Sequence, residues 1–296
     1  MPAMPRRRKI LLSLPGPLRI PYRSLKNLLL QARVSMRKLS PVRRALPSWL
    51  IVGAARAGTT SLYDAIVQHP RIRPALTKEV SFFSHHFTRG ERWYRAHFPS
   101  EASLAGGLIA GEASPAYIFH PLAPARIASL LPNVRLIALL RDPVRCAVSL
   151  HSFVRSLRFE TLPLAEALRR EEERIGPVLK ALGSDENADI RPLVRFSYKS
   201  RGIYVDQIKR LHAHFPKERV LILKSEDFFA EPSAVLRQVF DFIGVDPDFR
   251  PPDLSPQNTG LYESGGAPPE VMAELKAFFA PHNARLYEYL GRDFGW

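Results

Sequence analysis

The chain has 296 residues, 46% hydrophobic and 24% charged, with 43 Lys/Arg against 28 Asp/Glu and a single cysteine. That length suits one large globular domain able to bury roughly three quarters of its unfolded surface, and one cysteine excludes an internal disulfide and fits a reducing compartment. The net charge of +15 does not mark a nucleic-acid binder: residues 1–46 hold 12 Lys/Arg and no Asp or Glu, leaving 31 basic against 28 acidic residues in the rest.

The first 46 residues form a proline-punctuated basic arm ahead of a single domain spanning 47–296. No apolar run in the arm is longer than 10–12, too short for a signal-peptide core, and no segment offers 18 uncharged apolar residues. The chain is therefore expected to be cytoplasmic, neither secreted nor membrane-spanning. Residues 25–39 have the pattern of a basic amphipathic helix suited to an anionic membrane surface; the other reading of the arm is a flexible, solvated segment.

Beyond the arm, apolar runs at 50–52, 108–110, 134–140 and 220–223 alternate with helix-like stretches near 60–68, 121–131, 143–157, 164–182, 203–214, 232–243 and 269–290. Such alternation predicts an α/β fold, a mostly parallel central sheet covered by helices, whose ligands sit beyond the strand C-termini.

The first strand runs into LIVGAARAGTTSLYDAIVQHP, residues 50–70. Gly53 and Gly58 frame a loop that nearly spells a Walker A motif, but Thr59 stands where the phosphate-gripping lysine belongs. The amides of Gly58, Thr59 and Thr60 open a helix, where unpaired donors and the helix dipole attract an anion. Arg56 supplies a cation within the loop and can hold an oxyanion group with two parallel hydrogen bonds. Leu62, Ala65, Ile66 and His69 share one side of the following helix, which makes His69 a packing residue. No acidic strand end pairs with the loop for Mg²⁺, as a nucleoside-triphosphate enzyme would want. Asp142 follows a strand, but with Pro143 next it reads as a helix cap.

The second constellation is VRLIALLRDPVRCAVSLHSFV, residues 134–154, a strand, Arg141-Asp142-Pro143 and a helix. Ser149 lies about 9 Å along that helix from Pro143, so a phosphate touching Arg141 and Ser149 lies alongside the helix. Two phosphate corners on one sheet suggest a nucleotide phosphorylated at two places. Cys146, one turn earlier, reads as packing.

In motif order the chain resembles, over about residues 48–296, the sulfotransferases that use 3′-phosphoadenosine 5′-phosphosulfate (PAPS), in particular the heparan-sulfate-type branch. The matching segments are VGAARAGTTSL, KEVSFF at 78–83, GEASPAY at 111–117, RDPVRCAVS at 141–149 and the ending YLGRDFGW. The resemblance implies a three-layer P-loop-like fold, a metal-free reaction with PAPS as co-substrate, and a hydroxyl-bearing (less readily amine-bearing) acceptor, a carbohydrate or glycolipid. It implies that Arg56, standing where the family usually has lysine, neutralises the departing phosphate, with Ala57, Gly58, Thr59 and Thr60 completing the cradle. Arg141 and Ser149 then bind the 3′-phosphate, and Glu79 is the general base, unless Glu79 merely pairs with Lys78; His85 and His86 are ordinary polar residues or an alternative base.

Two further positions depart from the family pattern. Ala113 occupies a place where the heparan-sulfate branch has lysine, and the basic glycine loop near the C-terminus is reduced to Ser264-Gly265-Gly266, which would meet the nucleotide through backbone amides. Acceptor recognition is expected within 155–201, where Arg155, Arg158, Arg169, Arg170, Arg174, Arg191, Arg195, Lys199 and Arg201 interleave with Glu166 and Glu171 to Glu173; a solvated charged helix explains 164–174 equally well. Trp93, Tyr94 and Tyr117 are sugar-stacking candidates or core aromatics. Two other functional readings stay open: a small-molecule kinase with a divergent loop, and a catalytically silent nucleotide-binding or membrane adaptor.

Overall fold

The structure, a computed structural model, describes residues 16–186, 188–255 and 267–296. In chain order its elements are α1 (Gly16–Leu39), β1 (Trp49–Gly53), α2 (Thr59–Ile66), β2 (Ile72–Pro74), α3 (Phe82–His85), α4 (Glu91–Arg95) and β3 (Ile109–Ala113). There follow α5 (Ala123–Leu130), β4 (Arg135–Leu140), α6 (Pro143–Ser156), α7 (Leu164–Arg169), α8 (Glu171–Leu182), α9 (Arg191–Phe196) and α10 (Tyr204–His212). The chain closes with β5 (Val220–Lys224), α11 (Ser225–Ala230), α12 (Pro232–Ile243) and α13 (Pro269–Leu290).

The five strands form one sheet in the order β2-β3-β1-β4-β5, every pair parallel. A parallel sheet flanked by helices is buried on both faces, which is why β1 reads as the unbroken run WLIVG with every residue buried. Trp49 of β1 lies opposite Gly111 of β3; a Cβ on that glycine would come within 2.1 Å of the indole, so the strand pair can seat the tryptophan only over a residue with no side chain. The main core joins the strands to α2, α5, α10 and α12, and a second cluster joins α6, α7 and α13.

The strands expected at 50–52, 108–110, 134–140 and 220–223 are present as β1, β3, β4 and β5. The single helix expected over 164–182 is two, broken at Arg170. The break turns Glu171 inward, where its buried carboxylate accepts the backbone N–H groups of Lys199 (2.6 Å) and Ser200 (2.8 Å). One buried carboxylate thus ties α8 to the segment that leads into α10.

The last turns of α1 rest on the body. Val34 is buried, Arg37 donates to the carbonyls of Ala96 (3.4 Å) and Phe98 (3.3 Å), and Arg44 donates to Phe98 O at 3.3 Å. The opposite side of the same helix leaves Leu25, Leu28, Leu29, Met36 and Leu39 exposed. Among the described residues no helix is long and apolar enough to cross a membrane.

Candidate active site

The β1–α2 loop is built around Gly58, whose φ of 93° is a left-handed conformation that suits glycine. A Cβ there would lie 2.7 Å from the Phe229 ring, so both the dihedral and the space exclude a side chain. With Gly58 at the N-cap contributing no side-chain cap, the amides of Thr59 and Thr60 at the start of α2 are placed to meet an anion or water. Ala57 and Thr59 are buried and Thr60 is half-buried. Arg56 is also left-handed, at φ 69°. Its Nε–H donates to Ser149 Oγ at 3.0 Å and its guanidinium sits 4.8 Å from the centre of the Phe153 ring.

The second corner is therefore contiguous with the first. Arg141 Nη1 donates to the carbonyl of Arg56 at 2.9 Å, and its own carbonyl accepts from the Tyr204 hydroxyl at 2.9 Å. Asp142 caps α6, its Oδ1 accepting from Val144 N–H at 2.9 Å with Pro143 in the first turn. Ser149 lies on the same helix as expected, but it reaches the first corner through Arg56. Cys146 is buried and its thiol is pushed up to about 11 by burial, which leaves it protonated at neutral pH, as a packing residue would be.

Glu79 reaches the same edge of the sheet from the other side. Its backbone N–H donates to Ala113 O at 3.0 Å, which fixes it at the C-terminal end of β3. Strands β3, β1 and β4 are consecutive in the sheet, so Glu79, the Arg56 loop and Arg141 all lie at the C-terminal ends of three adjacent parallel strands. That is the edge where open α/β sheets bind ligands. The Glu79 carboxylate pairs with Lys78 at 2.9 Å, yet 57% of its side chain stays exposed. An ion pair so open to water contributes about 0–1 kcal/mol and leaves the carboxylate free to meet a substrate. His85 faces solvent and contacts the Ser84 hydroxyl at 2.8 Å, while His86 packs edge-on to Trp93. His69 is buried between Phe240 and Phe249 as a packing residue. Ser264, Gly265 and Gly266 lie outside the described residues.

Sequence reasoning missed α11. Ser225 donates its hydroxyl to Ala57 O at 2.7 Å, Glu226 accepts the Asp142 N–H at 3.1 Å, and Phe229 covers Gly58. One short helix thus braces both corners. The available signal was Ser-Glu-Asp at 225–227, one residue after the apolar run 220–223, a helix-start pattern.

Two alternatives left open about the acceptor are narrowed by the structure. Tyr94 and Tyr117 are fully buried with their hydroxyls on Glu112, at 2.9 and 2.8 Å, so neither can stack on a sugar. Trp93 is half-buried among Phe82, His86 and His97. Several arginines of 155–201 also serve the fold: Arg174 pairs with the buried Glu160 at 2.7 Å, Arg201 donates to the carbonyls of Leu193 and Val194, and Arg170 and Arg191 pair with Glu173 and Asp189. Arg155 in the last turn of α6 and Arg158 just beyond it are exposed, beside exposed Leu157 and Phe159.

Residues 46–255 match the family model described as "Sulfotransferase domain". The chain is 30% identical to the mouse (Mus musculus) protein "Heparan sulfate glucosamine 3-O-sulfotransferase 6", over 95% of this chain and 82% of that one. It is 25% identical to "Membrane-associated sulfotransferase kil1" of Dictyostelium discoideum, with 85% and 66% covered, and 28% identical to mouse "Heparan sulfate glucosamine 3-O-sulfotransferase 3B1", with 86% and 65% covered. The chain thus spans about two thirds of the length of the latter two. Among solved structures, a sulfotransferase from Alicyclobacillus acidocaldarius superposes with a TM-score of 0.65 at 31% identity, covering 84% of this chain and 98% of the other.

Proposed function

We propose, from the premise that this chain belongs to the sulfotransferase family, that it transfers a sulfuryl group from PAPS to a hydroxyl of a carbohydrate or glycolipid acceptor. The observation that carries this reading is the convergence of the Arg56 loop, Arg141 with Ser149, and Glu79 at one edge of the sheet. The glycan acceptor rests on the similarity to heparan sulfate sulfotransferases.

The residues present fit such a donor. The α2 N-terminus, uncapped by any side chain, suits a 5′-phosphate, and the Arg141 and Ser149 side chains flank the adjoining corner, suited to a 3′-phosphate. When bound, PAPS supplies a sulfuryl group activated by a phosphate leaving group. Arg56 then neutralises charge on the departing phosphate. Glu79 takes the acceptor's hydroxyl proton as the oxygen attacks sulfur, and the electron pair of the cleaved S–O bond leaves with the phosphate.

Incubation of the purified protein with labelled PAPS and a panel of glycans, glycolipids and simple alcohols tests the reading. Transfer to a hydroxyl acceptor is expected, with release of adenosine 3′,5′-bisphosphate, no comparable competition by ATP, and unchanged turnover in EDTA because Arg56 and the α2 amides take the place of a metal. Competition by ATP equal to that of adenosine 3′,5′-bisphosphate would remove the donor assignment; loss of transfer in EDTA would remove its metal-free part.

The same reading includes peripheral contact with an anionic membrane through α1. Support comes from Leu25, Leu28, Leu29, Met36 and Leu39, exposed on a helix that carries Arg33 and Lys38 in solvent and no acidic residue. Such a face suits the headgroup and acyl boundary of acidic lipids. Sedimentation with phosphatidylserine vesicles is expected for the full chain, to be lost in Leu25→Ser/Leu28→Ser/Leu29→Ser and in 0.5 M salt to fall with screening of the basic residues, on the order of a 4 Å Debye length. Equal recovery of that triple variant and the parent on the vesicles would reject the contact.

A further inference from the structure

Three consecutive backbone N–H groups of the Glu79 segment are held by three consecutive residues at the end of β3, its last two and Ser114 just beyond. Glu79 N–H donates to Ala113 O at 3.0 Å, Val80 N–H to the Glu112 carboxylate, and Ser81 N–H to Ser114 Oγ at 2.9 Å. The Ser114 hydroxyl passes the link on, donating to Glu112 Oε2 at 2.7 Å. Glu112 Oε1 accepts from Tyr94 and Tyr117 at 2.9 and 2.8 Å. Glu112, Ser114 and both tyrosines are fully buried.

What this network holds is a backbone that would otherwise relax. Glu79 at φ 63° and Ser81 at φ 54° are both left-handed, a conformation L-residues keep only where their surroundings over-determine it. The strand phase makes the clamp possible, because Glu112 and Ser114, two residues apart across the end of β3, fall on the same side and meet at 2.7 Å. An alanine at 114 would remove the acceptor of Ser81 N–H and one of the donors to Glu112 together, leaving the Ser81 amide without its partner and the buried carboxylate one hydrogen bond short.

We propose that Glu112 and Ser114 are positioning residues for the transfer reaction: they clamp residues 79–81, with Glu79 and Ser81 left-handed, and so aim the Glu79 carboxylate along the sheet edge toward the Arg56 loop. The proposal rests on the reading of Glu79 as the base. It assigns a function to a buried carboxylate whose partners otherwise suggest only a satisfied core group.

Ser114→Ala and Ser114→Thr test the clamp, with Glu112→Gln read in the same way should the alanine variant not fold. Sulfotransfer gives kcat and the donor KM, calorimetry gives the affinity for adenosine 3′,5′-bisphosphate, and amide hydrogen exchange follows the peptide spanning 78–82. Displacement of a catalytic group by an ångström costs about 100-fold, so Ser114→Ala is expected to lower kcat by about 10- to 100-fold. Nucleotide affinity and donor KM should stay within about twofold, and exchange should accelerate in the 78–82 peptide while the other strands keep their protection. Threonine, which keeps the hydroxyl, should restore most of kcat. Unchanged kcat, or exchange accelerated throughout the sheet, would overturn the proposal. Should the parent bind nucleotide and transfer nothing to any acceptor, the reading of Glu79 as base fails, and the exchange of 78–82 still decides whether the clamp exists.

Discussion

Replacing Glu79 with glutamine is expected to lower kcat by about 10²- to 10⁴-fold, the usual contribution of a positioned general base, with the donor KM nearly unchanged. Glutamine keeps the size and the hydrogen-bonding reach of the carboxylate but cannot take a proton. The backbone contact to Ala113 O is made by the main chain and survives the substitution. The lost ion pair with Lys78 involves a side chain 57% exposed, so the fold should lose no more than about 1 kcal/mol. Steady-state kinetics with near-equal melting temperatures would separate catalysis from stability. Retention of more than half the parent kcat would mean that Glu79 is a surface ion-pair partner, and would direct the search for a base toward His85, which faces solvent in the same segment.

The parts of this molecule that were legible in the sequence are those whose residues answer to local rules. Strands β1 and β4 are buried on both faces and read as apolar runs. Asp142-Pro143 reads as a cap because both positions of the motif act within one turn. The edge strand β2 has only three residues, two of them exposed and the last a proline, so it carries neither alternation nor a continuous apolar run. Arg170 with Glu173 follows from helical spacing, whereas Arg174 with Glu160 crosses 14 residues and two elements. Nothing in the spacing announces such a pair. The same limit hid Glu112: an acid in an apolar strand could face either side, and only the folded sheet brings Tyr94, Tyr117 and Ser114 onto it. The two phosphate corners were legible one at a time, each as a glycine loop or a capped helix. Their meeting through Arg56 and Ser149, across 93 residues, was not.

That meeting yields the second large effect. Arg56→Ala is expected to lower kcat by about 10²- to 10³-fold, the loss typical of removing one donor from a site where charge develops in the transition state. It should also weaken adenosine 3′,5′-bisphosphate, because Ser149 loses the group that orients its hydroxyl. Arg56→Lys separates the two roles. Lysine restores the positive charge as a single point donor and lacks the fork with which arginine engages several oxygens. An ammonium in the loop should therefore recover most of kcat, while donor affinity stays reduced by the loss of the Nε–Ser149 contact and of the stacking on Phe153. Ser149→Ala provides the complementary arm, lowering nucleotide affinity and leaving kcat near the parent value at saturating donor. Charge-assisted hydrogen bonds of this kind contribute about 1.5–3 kcal/mol, so the combined Arg56→Lys/Ser149→Ala variant should bind nucleotide no worse than Ser149→Ala by more than a few-fold, since both changes break the same link. Additive losses in affinity would instead mean that Arg56 and Ser149 grip the nucleotide separately, and that the bridge between the corners opens when the donor enters.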